Sequence, residues 1–317
     1  MSNYPSWLEE AVTLMNSGMS KRQIARELDI GRTSCREWLN KYEDGLVTEN
    51  VTTTKKPKIL IFDLETSPEL SYHFGRYQVN INDVFNVKPS YLLSFSAKWL
   101  GEKEIVTLGL PYYDDYDSEN ICDKKLCEDL FKLLDSADIV VAHNLKGFDW
   151  KVAQTRFLLN GLPHISPTKL VDTLHIARSN FRFPTNKLDT LARQLGVGEK
   201  LKHSGASLWL GCLQGDEQSW AEMLEYNTVD VTVLEDVYMK LRAYDKRHPN
   251  IALMYDDCEI RCVCCGSTDL KLTDKKSFTG TSEFDVYECN NCGKHNRSRK
   301  NNLSKDKRES LLMNATN

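Results

Sequence analysis

The sequence predicts an α/β fold, a mixed sheet flanked by helices, with a small all-α domain before it and a cysteine-closed module after it. Three observations carry that prediction. Lys58-Ile59-Leu60-Ile61-Phe62 and Ile139-Val140-Val141-Ala142 are short, continuous apolar runs of the kind that form buried strands. Between Trp220 and Leu241 apolar residues recur at helical spacing (Met223, Leu224, Val229, Val233, Leu234, Val237, Leu241), marking a long late helix. Outside this stretch the pattern changes, to capped helices over residues 1–43 and to paired cysteines over residues 258–297. A chain of 317 residues, 41% hydrophobic, can hold one core of about 190 residues and two small modules.

At the N-terminus, Ser6-Trp7-Leu8-Glu9 and Ser20-Lys21-Arg22-Gln23 both fit the capping box, in which a hydroxyl and a Glu or Gln three residues later satisfy the first N–H groups of a helix. Ile24, Ala25 and Leu28 give way to a tight turn at Asp29-Ile30-Gly31, and Arg32 to Asn40 resumes as helix with Cys35, Trp38 and Leu39 inward. Lys21 to Lys41 holds six basic and three acidic residues. This pattern resembles the helix-turn-helix domains of transposases and resolvases. The resemblance implies that the second helix lies in the major groove of duplex DNA, with Arg32, Thr33, Ser34 and Arg36 outward to meet bases or phosphates. A helical bundle for packing or dimerisation is the alternative. Residues 44–57, polar and Thr-rich, read as a linker.

The central domain spans residues 58–250. Asp63 and Glu65, two apart as the first strand ends, project from one side of it. Tyr72 to Pro89 is a long insertion whose Tyr72, Phe74, Arg76 and Tyr77 either stack single-stranded bases or pack on the core. Tyr91–Gly101 and Lys103–Leu110 read as the next strands, Asp123–Ser136 as a helix, and Phe148-Asp149-Trp150 as the opening of another helix after the Val140 strand. Asp172 ends a further apolar run, where capping the next helix is favoured over a place in the site. Tyr226 and Asp230 lie one turn apart on the same side of the late helix.

Asp63, Glu65, Asp149 and Asp230 together describe a cage for two hard cations. Mg²⁺ and Mn²⁺ take oxygen ligands in octahedral sites that keep water and substrate phosphate in the shell. Two such ions, about 3.5–4 Å apart, stabilise the attacking and leaving oxygens of an in-line displacement at phosphorus. The order of Asp63-Leu64-Glu65, His143-Asn144-x3-Phe148-Asp149 and Tyr226-x3-Asp230 resembles the DEDD (DnaQ-like) superfamily of 3′-to-5′ exonucleases, over roughly Lys58 to Tyr244. The resemblance implies a ribonuclease-H-like fold. It further implies that Asp63 bridges both metals, Glu65 and Asp230 complete the first site, and Asp149 holds the second. The superfamily divides by a His five residues, or a Tyr four residues, before the last Asp. Glu225 fills the first place here and Tyr226 the second, so the chain resembles the tyrosine branch, in which that residue positions the attacking water. His143 is expected to hydrogen-bond backbone near the site and not to ligate metal.

Toward the C-terminus, Cys262-x2-Cys265-Gly266 and Cys289-x2-Cys292-Gly293, separated by 23 residues, have the spacing of a zinc ribbon. Thiolates two residues apart in a Gly-closed turn both reach one tetrahedral ion, so one structural Zn²⁺ is expected on Cys262, Cys265, Cys289 and Cys292. Cys258 and Cys264 are the rival ligands. Residues 298–317 read as a basic, solvated tail that could also act as a phosphate-binding arm. Positive charge thus gathers at the two ends while the central domain is acidic. No apolar run approaches the roughly 20 residues that span a bilayer. A cytoplasmic setting is expected, including the host cytoplasm for a phage or mobile-element protein.

The function implied is a metal-dependent 3′-to-5′ exonuclease that takes a single-stranded 3′ end of DNA at the acidic site and duplex DNA at the helix-turn-helix, and releases 5′-mononucleotides. RNA is a possible substrate, because the carboxylates do not choose the sugar. A transposase or integrase, which generally uses two Asp and one Glu, and a non-catalytic DNA-binding protein are the alternatives.

Overall fold

The chain divides into two compact units, Met1–Lys56 with Tyr255–Cys258 and Pro57–Met254 with Glu259–Asn317. The computed structural model describes residues 5, 7–43, 56–75, 80–119, 121–198, 204–313 and 315. In the first unit, α1 (Leu8–Asn16), α2 (Lys21–Glu27) and α3 (Arg32–Glu43) close on Leu8, Ala11, Val12, Ile24, Ala25, Cys35 and Leu39. The Ser20 box forms as expected, with the Ser20 N–H donating to Gln23 Oε1 at 3.0 Å. The other box falls on Ser6, which lies outside the described residues. There Trp7 occupies the cap position, and the Leu8 N–H donates to the Pro5 carbonyl at 3.0 Å. Asp29 turns the chain between α2 and α3 in the left-handed region at φ 47°. α3 runs past Asn40 because Tyr42 packs on the same core.

The second unit is built on a five-stranded sheet of order β5-β4-β1-β6-β7. β1 (Ile59–Thr66), whose first four residues are apolar and buried, lies at its centre. After a two-stranded flap, β2 (Leu70–Ser71) with β3 (Asn86–Lys88), β4 (Leu92–Trp99) pairs antiparallel with β1 and β5 (Ile105–Gly109) forms the edge. α4 (Lys124–Asp135) leads to β6 (Ile139–Ala142), parallel to β1. α5 (Asp149–Leu159) leads to β7 (Lys169–Asp172), parallel to β6. Three short helices, α6 (Thr173–Asn180), α7 (Leu188–Leu195) and α8 (Ala206–Leu213), precede the long α9 (Glu217–Leu241).

What seats α9 on the sheet is a polar seam. Ser94, Ser96 and Lys98 alternate along β4 and so share a face. Ser94 donates to Asn227 Oδ1 at 3.3 Å, Ser96 meets Thr107, which meets Thr228 at 2.7 Å, and Lys98 pairs with Glu235. Glu235 also accepts the Gly101 N–H at 2.8 Å. Gly109 permits the close approach, since a Cβ there would meet Leu224 Cδ2 at 2.8 Å. Asp63 and Glu65 stand opposite Ser96 and Ser94 across the strands, on the face α9 covers.

α4 and α5 are locked to β4 by Asp123. Its buried carboxylate accepts the Leu92 N–H at 2.9 Å, both Arg156 Nε and Nη2 at 2.7 Å, and Asn160 Nδ2 at 2.9 Å. Burial pushes this carboxyl up, but the guanidinium and the other donors prevail, so its pKa lies below the ordinary value. The stabilisation is therefore present above the unfolded value, about 3.9, and is lost as pH falls through the folded one. Asp123→Asn should cost about 3–5 kcal/mol in urea unfolding at pH 7, because it strands a buried guanidinium. The gap should narrow below pH ~4; a gap constant down to pH ~3 would remove Asp123 as its source.

The C-terminal part of this unit is a three-stranded sheet, β8 (Leu270–Thr279), β9 (Ser282–Cys289) and β10 (His295–Arg297). It joins the chain beyond α9 through Ile251 N–H to Val263 O at 2.8 Å and Lys294 Nζ to Asp245 O at 2.7 Å. The residues after it, expected as a solvated tail, are mostly exposed and yet tied to β9. Ser298 and Asn302 donate backbone N–H groups to Asp285 and Glu283 carbonyls at 2.9 and 2.8 Å, and α10 (Lys305–Glu309) follows. Ser and Asn side chains interleaved with the basic residues supply further bonds to β9. Among the described residues no helix is long and apolar enough to cross a membrane.

Candidate active site

β1 and α9 bring Asp63, Glu65 and Asp230 together, with one carboxylate oxygen from each within 4.8 Å of the others. Asp149, the first residue of α5, is only 3% exposed and stands outside that trio. Burial first, and the negative charge of Asp63 second, push its carboxyl well above the ordinary range, with Asp172 adding to this while its own N–H and that of Leu64 oppose it. Four acids so arranged repel one another until cations arrive, and an all-oxygen donor set fits Mg²⁺ or Mn²⁺.

Two residues hold this arrangement in place. Asn227, which the sequence reading missed, donates Nδ2 to Asp63 Oδ2 at 2.8 Å and accepts from Ser94, so it fixes the strand acid to the helix. Its signal was an amide three residues before Asp230, on the same side of the helix. Asp172 caps α6, accepting from Leu174 and His175 N–H groups at 3.0 and 3.3 Å, as expected. It also accepts the Asn144 and Lys146 N–H groups at 3.1 and 3.2 Å, and so shapes the loop that delivers Asp149. Asn144 is left-handed at φ 71°, and a Cβ on Gly147 would meet Asn144 Oδ1 at 2.4 Å, so glycine there leaves the Asn144 amide in place.

His143 does what its position predicted. Nε2 donates to the Asn186 carbonyl at 2.9 Å and Nδ1 meets Thr173 Oγ1 at 2.9 Å. Tyr226 sits one turn before Asp230, buried, with its ring edge-on to Trp209 at 6.5 Å. In the insertion, Phe74 is 97% and Tyr72 72% exposed, so these two do not pack on the core; Phe74 contacts Phe85 instead. Arg76 and Tyr77 lie outside the described residues.

The four cysteines form a second constellation. Cys262 and Cys292 sulfurs are 3.6 Å apart, as are those of Cys265 and Cys289. A tetrahedron with metal–sulfur bonds of about 2.3 Å has edges of about 3.8 Å, so the set fits Zn²⁺. Hydrogen bonding from Cys265 pulls Cys262 down to about 4, and the same contact pushes Cys265 up. Cys264 is buried, raised to about 12 by that burial, and neither it nor Cys258 joins the group.

In the first unit, Arg32, Thr33, Ser34 and Arg36 are exposed on α3. Lys21, Arg22, Arg32, Thr33 and Arg36 line a cavity of about 320 Å³. Lys21 is taken up by Asn40 at 2.6 Å and by Glu43, whereas the three arginines have no hydrogen bond or ion pair among the described residues.

The family description matching the chain is the RNase_H superfamily, over residues 60–242. The chain belongs to that superfamily, whose nucleases use divalent metals to hydrolyse phosphodiesters. One solved structure to which it is similar is the family B DNA polymerase from the hyperthermophilic archaeon Pyrobaculum calidifontis. The identity is 16% and the TM-score 0.42, over 59% of this chain and 25% of that one. The chain thus spans about a quarter of the polymerase. No curated protein matches it in sequence.

Proposed function

We propose that the chain is a 3′-to-5′ exonuclease of the DEDD class and its tyrosine branch, acting on DNA and releasing 5′-mononucleotides. The observation that carries the reading is the convergence of Asp63, Glu65 and Asp230 within 4.8 Å, with a buried Asp149 whose carboxyl feels the negative charge of Asp63. Asp63, Glu65 and Asp230 would hold one cation, and Asp63 with Asp149 the other. When bound, such ions supply Lewis-acid stabilisation of the attacking and leaving oxygens. The chain's own part is to fix these acids. Asn227 orients Asp63, Asp172 sets the loop before Asp149, and the β4 seam seats α9.

Tyr226 holds the attacking water in this reading. Tyr226→Phe should then lower single-turnover rate by roughly 10–100-fold with little change in substrate affinity, an orientation effect. A Phe variant with wild-type turnover would leave Tyr226 as a core ring beside Trp209.

The ribbon holds one structural Zn²⁺, and residues 1–43 bind duplex DNA through Arg32, Thr33, Ser34 and Arg36. Arg32→Ala and Arg36→Ala should each weaken duplex binding and lower the salt slope by about one if they contact phosphate. Duplex affinity unchanged by deleting the segment would favour the packing alternative.

The test of the whole reading is incubation with 5′- and 3′-labelled single-stranded and duplex DNA and RNA, with and without Mg²⁺ or Mn²⁺. Stepwise shortening from the 3′ end of DNA, with 5′-mononucleotide product, is expected. Strand joining, internal cutting, a preference for RNA, or binding without cleavage would overturn the corresponding part.

A further inference from the structure

Beside the carboxylate trio lies a cavity of about 580 Å³ whose wall changes sign from one side to the other. Asp63 and Asn144 line it near the acids, and Arg178 and Lys187 bring positive charge, with Leu174 and Leu188 as its apolar surface. Glu65, Tyr226 and Asp230 do not line it, so it opens off the site on the Asp63 side. Arg178 is in the last turn of α6 and Lys187 is the cap of α7. The irregular stretch between them is tied down by the bond from His143 Nε2 to the Asn186 carbonyl.

Neither cation is committed elsewhere. The side chains of Arg178 and Lys187 have no hydrogen bond or ion pair among the described residues, whereas Asp189, a second acid in the wall besides Asp63, is taken up by Arg193 at 2.8 Å. Asn186 adds a buried Oδ1 without a partner, an acceptor that an entering donor would satisfy. The volume falls in the range of small-ligand sites, with an apolar lining and a few convergent polar groups.

A polynucleotide repeats its phosphate once per nucleotide. With the scissile phosphodiester at the acids, a terminal nucleotide ending in a 3′ hydroxyl carries no second phosphate, so the neighbouring phosphate is the one upstream. We propose that Arg178 and Lys187 form the subsite for the phosphodiester immediately upstream of the scissile one, with the intervening nucleoside lying on Leu174 and Leu188. The proposal rests on the 3′-to-5′ exonuclease reading. It assigns the substrate contact that would make the enzyme prefer chains over isolated diesters.

The dinucleotides dTpdT and pdTpdT test it, because they differ only in the 5′-phosphate that occupies this subsite. The wild-type protein should cleave pdTpdT with kcat/KM roughly 10–100-fold above that for dTpdT, the range of one charge-assisted contact. Arg178→Ala and Lys187→Ala should each bring that ratio toward one, and Arg178→Lys should restore part of it. A ratio unchanged in both alanine variants, or an equal fall for both substrates with the ratio intact, overturns the subsite. If wild type cleaves neither dinucleotide, shortening of 3′-labelled DNA still judges the exonuclease reading by itself. Calorimetric titration of both dinucleotides in Ca²⁺ then judges the subsite. An Arg178-dependent preference for pdTpdT sustains it, and equal binding of the two ends it.

Discussion

Asp63→Asn, Glu65→Gln, Asp149→Asn and Asp230→Asn should each lower release of 5′-mononucleotides by on the order of 10³-fold or more, because each removes an anionic ligand from a cage in which the acids act as a unit. Loss of activity alone would not separate this from misfolding, so the stability of the metal-free protein is the second measurement. Asp149 is the informative member. Its carboxyl is held well above the ordinary range by burial and by Asp63. An acid raised in this way destabilises the folded chain increasingly as pH rises above its unfolded value, and a neutral amide of the same shape removes that cost. In chelator at neutral pH, Asp149→Asn should therefore melt at or above wild type. Added Mg²⁺ should raise the wild-type melting temperature through ligand linkage and shift the variant much less. A variant that keeps near wild-type turnover takes its residue out of the metal site. One that melts several degrees lower marks it as structural.

Much of this site was legible before the fold was known, because its members obey local periodicities. Asp63 and Glu65 share a side through the two-residue repeat of a strand, and Tyr226 and Asp230 through the helical turn. Asp172 was readable as a cap because an Asp between an apolar run and a helix has a ready partner in the first N–H groups. The unread residues depend on contacts distant in sequence. Asn227 means little until Ser94 and Asp63 stand opposite it, 133 and 164 residues away. Arg178 and Lys187 become one wall only because α6 and α7 both pack against α9 and His143 ties down the stretch between them. The exposure of Phe74, for which the sequence left stacking and core packing equally open, and the bonds that tie Ser298 and Asn302 to β9 are likewise tertiary outcomes that composition does not decide.

Removal of zinc should produce the largest structural change in the molecule. The C-terminal core consists of Cys262, Cys264 and Cys289, with Cys265, Leu270 and Cys292 packed against them. Little apolar surface is buried there besides the ligands themselves, and structural zinc contributes about 10–16 kcal/mol in isolated finger peptides. One Zn²⁺ per chain should be found by elemental analysis of freshly purified, reduced protein, and its absence would sink the assignment. Cys265→Ser and Cys289→Ser should release the metal while Cys264→Ser retains it, since Cys264 lies outside the four-sulfur group. Chelation should open the β8–β10 sheet to protease. It should leave the α/β core folded, because the cysteines form a cluster of their own, apart from Phe62, Phe95, Leu130 and the other residues buried in that core. The core should nevertheless melt somewhat lower, since the bonds from Ile251 to Val263 and from Lys294 to Asp245 join the ribbon to the chain after α9. Complete unfolding on chelation would show instead that the ribbon nucleates the whole unit, and an unchanged protease pattern would show that the sheet stands without metal.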